Sequence, residues 1–165
     1  MSIDCGFFQG KQWFRYRAAG IIIEDGAVLF AGNPTEPYYY SVGGGVHAGE
    51  TAEDAVRREV YEETGVHYQV DRLAVIHENF FWGHGGEYEG VECHEICFYF
   101  LMVPRGTRAL NSHSISHDNT QEEMHWVPVS DLGKVYAYPT FLAEYLSAPH
   151  PEIVHIVSDE RQITP

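Results

Sequence analysis

Residues 44–66, GGVHAGETAEDAVRREVYEETGV, constrain this chain's fold more than any other stretch of its 165 residues. Thr51 stands where a helix N-cap belongs, and Asp54 follows three residues later as a weak capping-box partner. Gly65 is placed to be the left-handed residue that ends the helix. Residues 52–64 are therefore predicted to be a helix of somewhat over three turns.

The last turns of that helix are crowded with like charge. Glu59, Glu62 and Glu63 lie within five residues. Like charges three or four apart cost a few tenths of a kcal/mol per pair, roughly. Negative charge near a helix C-terminus opposes the dipole by about 0.3–1 kcal/mol. A sequence that accepts both penalties at one spot points to a cation held there. At 100° per residue the three carboxylates share roughly a third of the circumference, with Cβ atoms about 5–6 Å apart. Oxygen ligands at that spacing suit one or more hard divalent cations such as Mg²⁺. Arg58 lies one turn before Glu62 and is placed to hold its carboxylate. The run Gly43-Gly44-Gly45 ahead of the helix is predicted to make a tight turn that exposes backbone N–H and C=O groups to a ligand.

These residues carry a resemblance. Gly44, Glu50, Arg58, Glu59, Val60, Glu62, Glu63, Gly65 and Val66 stand at the fixed positions of a 23-residue pattern without a mismatch, and the pattern looks like the Nudix box of the Nudix hydrolases. An ordinary acidic surface helix has no need of Gly44, Arg58 and Gly65 at those offsets. The resemblance implies an α/β fold, an α/β/α sandwich with a central mixed sheet, as a single domain over residues 1–165. It also implies divalent-metal-dependent hydrolysis of a pyrophosphate bond in a nucleoside diphosphate linked to another moiety, with Mg²⁺, or Mn²⁺ in its place. Glu59 and Glu63 are implied as the principal metal ligands, and Glu62 as a further ligand or a residue orienting the water. The backbone carbonyl of Gly43 would complete the ligand set, while Arg58 and Glu50 would hold helix and loop together through ion pairs.

Members of the family often take one more acidic residue from a loop outside the box. Glu123, or Glu122 beside it, is the candidate here, although a solvated carboxylate at a strand start is the commoner role. Arg17 and Phe81 are candidate substrate contacts. Arg15 and Arg17 alternate on one strand and are placed to meet phosphate, unless they are merely exposed strand charges. Tyr38, Tyr39, Tyr40, Phe80, Phe81 and Trp82 flank the site and are able to stack on a base, although aromatics at strand ends are more often core. His84, His113 and His117 are further candidates for contact with substrate. Departures from the family leave the substrate open. Val42 replaces a common proline, and Phe80 stands where ADP-ribose hydrolases tend to carry one. Trp82, Gly83 and His84 stand where dinucleoside polyphosphate hydrolases carry a tyrosine.

Composition fits this reading. The net charge is −14, from 24 acidic and 10 basic residues, which argues against a nucleic-acid polymer as partner. A small nucleotide-type substrate is compatible with it when metal ions neutralise both sides, and a homodimer is allowed. The N-terminus has no cleavage-site pattern and no apolar run reaches membrane-span length, so no membrane association is expected. Three cysteines, Cys5, Cys93 and Cys97, form no disulfide framework and fit a reducing cytoplasm. Cys93, His94 and Cys97 lack the paired spacing of a zinc site. On a strand, Cys93, Glu95 and Cys97 face one way and His94 the other.

Along the chain, residues 15–30 read as a hairpin around Glu24-Asp25-Gly26, and residues 38–42 as a strand running into the glycines. Residues 67–81, 93–103, 124–129 and 152–158 also read as strands. Residues 105–121 read as a long polar loop, 130–133 as a turn and 138–147 as a second helix. An alternative to catalysis is a Nudix-fold ligand-binding or regulatory module without turnover. Such modules usually lose box glutamates, which this chain keeps.

Overall fold

The structure is a computed structural model that describes residues 2–112 and 122–162; His113 and His117 lie outside the described residues. Strands β1 (Gly6–Gln9), β2 (Gln12–Ile21), β3 (Ile23–Glu24), β4 (Ala27–Gly32) and β5 (Tyr39–Gly45) precede helix α1 (Ala52–Thr64). Strands β6 (Val70–Trp82), β7 (Glu92–Met102), β8 (Glu123–Pro128) and β9 (Ala137–Tyr138) follow, then helix α2 (Leu142–Tyr145) and strand β10 (Val154–Asp159).

The predicted turn at Asp25-Gly26 is present, with φ of 46° and 72°, the pair of positive values a two-residue hairpin turn requires. It leads β3 antiparallel into β4, Ile23 opposite Val28. The sheet runs β10-β6-β7-β2-β5-β4-β3, with β1 added to β2, β8 to β4 and β9 to β5. It is mixed: β2 runs parallel to β7 and β10 parallel to β6, whereas β6 and β7 are antiparallel.

Because side chains alternate along extended backbone, β2 and the residue that follows it feed two cores. Ala18 and Ile22 join Val42, Val56, Val60 and Met102 under α1. Ala19 and Ile21 join Phe30, Val75, Leu132 and Leu142 on the opposite face, beneath α2. The α/β sandwich expected from the sequence is thus assembled around β2. No helix among the described residues is long and apolar enough to cross a membrane.

Helix α1 has the predicted limits. Thr51 Oγ1 accepts from the Asp54 N–H at 3.1 Å, and Gly65, at φ 68°, donates to Tyr61 O. A Cβ on Gly65 would lie 1.9 Å from the Asn111 carbonyl oxygen, so this end accepts glycine for space as well as for backbone angle. Ala52, Ala55, Val56, Val60 and Thr64 face inward, at the three-to-four spacing of an amphipathic helix.

Three expectations are corrected. The glycine run is not a free turn: Gly43, Gly44 and Gly45 are strand residues opposite Ala19, Ala18 and Arg17 of β2. The second helix shrinks to Leu142–Tyr145, because Ala137 and Tyr138 pair with β5 instead and a residue before proline favours extended backbone. The 130–133 turn lies in a short 3₁₀ segment, Val129–Lys134. In addition, β1 forms a hairpin with β2, Phe8 opposite Trp13, that sequence reading did not anticipate.

Replacing Thr51 by Ala removes the cap and should lower stability by about 1 kcal/mol, a fall in Tm of roughly 2–4 °C. Calorimetry checks this; an unchanged Tm would mean the cap contributes nothing.

Candidate active site

Helix α1 presents its carboxylates to the end of β5. The Glu63 Oε1 accepts from the backbone N–H of Gly43 at 3.0 Å. Its Oε2 is buried with no partner among the described residues. Glu59 sits over the next residue: a Cβ on Gly44 would lie 2.5 Å from the Glu59 carboxylate. Gly44 is therefore glycine because the carboxylate occupies the space a side chain would need. Glu62 is at the exposed rim, 3.5 Å from Arg58 Nη1.

Arg58 organises the group. Its Nε and Nη2 donate to the two oxygens of Glu50 at 2.9 Å each, a bidentate pair. Nη2 also donates to the Gly45 carbonyl at 3.0 Å, and Nη1 to Glu59 at 2.5 Å. The paired roles expected for Glu50 and Arg58 are thus present in geometry. Hydrogen bonding from Arg58 holds the Glu50 carboxyl down to about 2.

Burial acts the other way on the helix carboxylates. It raises Glu59 above the usual carboxylate range, against the opposing pull of Arg58. It pushes Glu63 up to about 8, helped by the negative charge of Glu122 and resisted by Arg17 and the Gly43 N–H.

Glu122, not Glu123, joins this group. Glu122 lines the cleft and accepts a hydrogen bond from the Tyr40 hydroxyl at 3.0 Å. Glu123 is exposed on β8 opposite Gly32 and reaches towards His125 at 3.5 Å. The strand start turns successive side chains to opposite sides, so only one of the adjacent pair can face α1. Arg17, a candidate substrate contact, is not an exposed strand charge: it is a buried residue on the cleft floor. Its terminal nitrogens donate to Ser41 Oγ, Ser41 O and Gly43 O at 2.9, 2.7 and 3.1 Å. It holds the strand whose Gly43 carbonyl was the expected metal ligand.

The carboxylates open on a cleft of about 1280 Å³. Its floor is one face of β2, β7 and β6, laid out in rows: Arg17, Cys97 and His77, then Arg15, Glu95 and Asn79, then Trp13, Cys93 and Phe81. Phe81 and His84 line it, as do Tyr38, Tyr40 and Trp82, whereas Phe80 stacks on His94 at 4.3 Å and Tyr39 packs at a tilt against His125 at 4.6 Å. Burial pushes His77 down to about 4, and its Nε2 lies 2.9 Å from Ser158 Oγ. Glu95 was not anticipated as a site residue. Burial pushes its carboxyl up, but Arg15 and Arg17 outweigh that and hold it below the usual range.

Among the described residues no three histidine, cysteine or carboxylate side chains already converge on one point. The groups brought together are Glu59, Glu63 and the backbone of Gly43 and Gly44, with Glu62 at the rim. Hard oxygen donors, one of them a buried carboxylate oxygen without a partner among the described residues, fit a hard divalent cation.

The sequence profile of the NUDIX domain matches residues 14–148. The chain belongs to the NUDIX family. As a Nudix hydrolase it joins enzymes that generally use divalent metal ions and act on small nucleotide-type substrates. No curated protein matches its sequence. Among solved structures, the E. coli ORF135 protein is similar at 23% identity and TM-score 0.57, covering 88% of this chain and 99% of that one. The MutT protein from Methanosarcina mazei Go1 is similar at 16% identity and TM-score 0.60, covering 85% and 94%. An ADP-ribose pyrophosphatase from Streptococcus suis 89-1591 is similar at 15% identity and TM-score 0.56, covering 86% and 98%. At these identities the likeness is one of fold.

The raised Glu63 carboxyl gives a signed pH dependence in EDTA. The folded form keeps a proton up to about pH 8 that the unfolded chain releases from about pH 4.3. Stability should therefore fall as pH rises between those values. Glu63→Gln should remove that slope and be more stable than wild type at pH 8. Urea denaturation of both proteins across this range checks the difference, and identical slopes would refute the assignment.

Proposed function

We propose that this Nudix hydrolase cleaves a pyrophosphate bond in a nucleoside diphosphate linked to another moiety, with Mg²⁺ or Mn²⁺. The observation that carries the reading is the enclosed Glu63 carboxylate, one oxygen on the Gly43 N–H and the other without a partner among the described residues, at the mouth of a large cleft. A nucleoside diphosphate brings its own negative charge to a chain already at −14. A divalent cation there supplies the charge neutralisation that lets the phosphoryl oxygens approach and stabilises the leaving group.

In this reading Glu59, Glu63 and the Gly43 carbonyl hold the metal, with Glu62 at the rim as a further ligand. Arg17 fixes the Gly43 carbonyl from behind, and Arg58 with Glu50 fixes the helix relative to β5. Glu122, positioned by the Tyr40 hydroxyl, takes the proton from the water that attacks phosphorus in line. Three free thiols support a reducing, cytoplasmic setting.

The test is phosphate release from a panel of nucleoside diphosphate derivatives, with Mg²⁺ or Mn²⁺ and with EDTA. Turnover should require the metal, and Glu63→Gln and Glu59→Gln should each lower kcat by about a hundredfold or more. Tight ligand binding without metal-dependent turnover on any substrate would favour a binding module instead. Equal activity in Glu63→Gln would overturn the metal site.

Gly44→Ala is a sharper variant, because its backbone needs no left-handed angle and the atoms nearest the added Cβ all belong to the Glu59 carboxylate. We expect a folded protein by circular dichroism with turnover reduced on the order of a hundredfold. Wild-type turnover would show that Glu59 is not held where the reaction needs it.

A further inference from the structure

Glu63, the carboxylate on which the metal reading turns, is the next-to-last residue of α1, in the turn where a helix frays most readily. The last carbonyls of a helix lack partners within it, and here they are met from outside. The Tyr61 carbonyl takes the Gly65 N–H. The Ser112 hydroxyl donates to the Glu63 carbonyl at 2.6 Å, and the Asn111 N–H to the Thr64 carbonyl at 2.9 Å.

Residues 111 and 112 arrive there as the end of a strap that follows β7. Val103 begins it by donating its N–H to the Gln69 carbonyl at 2.8 Å. The buried Glu24 carboxylate then accepts the N–H groups of Arg105 and Gly106, one on each oxygen, at 2.6 and 2.9 Å. The Arg108 guanidinium returns to the same hairpin turn and donates to the carbonyls of Glu24 and Asp25 at 3.3 and 2.9 Å. Trp126 of β8 donates to the Arg108 carbonyl at 3.2 Å, and Leu110 packs on the core beneath α1. The strap is thus pinned along its length before it meets the helix. Gly65 completes the fit, since a side chain there would collide with the Asn111 carbonyl and push the strap off.

Glu63 is therefore held from two sides. From the sheet, the Gly43 N–H holds one carboxylate oxygen at 3.0 Å. From the strap, Ser112 holds the backbone of the same residue. Glu59 lies a turn further in, where the helix supplies its own hydrogen bonds, and needs no such support. The Glu63 oxygen without a partner among the described residues keeps its direction only while the turn that carries it is fixed.

We propose that Ser112 is a positioning residue for the metal: by fixing the Glu63 backbone, it keeps the Glu63 carboxylate where a divalent cation is bound. The proposal rests on the reading of Glu63 as a metal ligand. Such a brace acts on affinity for the cation more than on stability of the fold, because only the last turn of α1 depends on it.

Titration of the EDTA-stripped protein with Mn²⁺, followed by the electron paramagnetic resonance of free Mn²⁺, tests this on wild type, Ser112→Ala and Thr51→Ala. The last variant loosens the same helix at its other end and is the control for stability. Ser112→Ala should weaken Mn²⁺ binding about tenfold, the effect of losing a partner behind a ligand. Thr51→Ala should bind within about twofold of wild type, because its cap lies three turns from Glu63. Unchanged Mn²⁺ affinity in Ser112→Ala, or an equal loss in both variants, would overturn the positioning role while leaving the metal site intact. Amide hydrogen exchange without metal reads the brace itself. In Ser112→Ala the Gly65 amide, bonded to the Tyr61 carbonyl, should exchange about fivefold faster, with the Val56 and Val60 amides unchanged. Equal Gly65 exchange in both proteins would overturn the brace even where Mn²⁺ binding falls. If wild type binds no Mn²⁺ at millimolar concentration, the metal reading of Glu63 fails and the positioning role fails with it.

Discussion

The arrangement of this enzyme depends on Arg58. One guanidinium meets both oxygens of Glu50, the carbonyl of Gly45 and the carboxylate of Glu59, and so ties the connecting loop, the sheet and the helix at a single point. A planar fork of donors suits this role where a lysine would not. Without it, Glu50, Glu59 and Glu62 would repel across a half-buried gap, and α1 would lose its fixed position over β5. Every other feature of the site, from the Gly43 N–H on Glu63 to the Glu59 carboxylate over Gly44, presumes that position.

The cleft is then divided by the sheet. At one end are raised carboxylates whose burial makes ionisation costly unless a cation is present. At the other are aromatic rings and an amide. The strongly acidic chain is poorly suited to a polymer of phosphates; in the proposed reading a cation held by these carboxylates would neutralise the mouth for a short diphosphate. Fold alone does not name the substrate, since similar frames include both a MutT protein and an ADP-ribose pyrophosphatase. Selectivity lies in side chains placed on the frame, and here part of the wall comes from the β1–β2 hairpin.

What could be read without coordinates was local. Asp25-Gly26, the Thr51 cap and Gly65 announce their structures through backbone angle and near-neighbour hydrogen bonds, and each is found as expected. The same holds for the helix face bearing Glu59 and Glu63 and for Arg58 one turn before Glu62. Glu122 and Glu123 show the opposite case. They are chemically identical neighbours, and only the register of β8 against β4 decides which faces the cleft. Arg17 likewise reads as an exposed strand charge until the sheet places Ser41 and Gly43 around it. The second helix was overestimated at its start because Tyr138 pairs with β5 instead.

The sequence by itself determined the bounds of α1, its carboxylate face and the family, because these follow from spacing along a helix of known pitch. Only the tertiary structure decided that the Glu63 carboxylate is enclosed, that Glu122 rather than Glu123 stands beside it, and that Trp13, Cys93 and Phe81 share a row. The reason is that strand partners lie as far apart along the chain as Ala27 and Pro128. Their meeting depends on sheet register and burial, which no local pattern encodes.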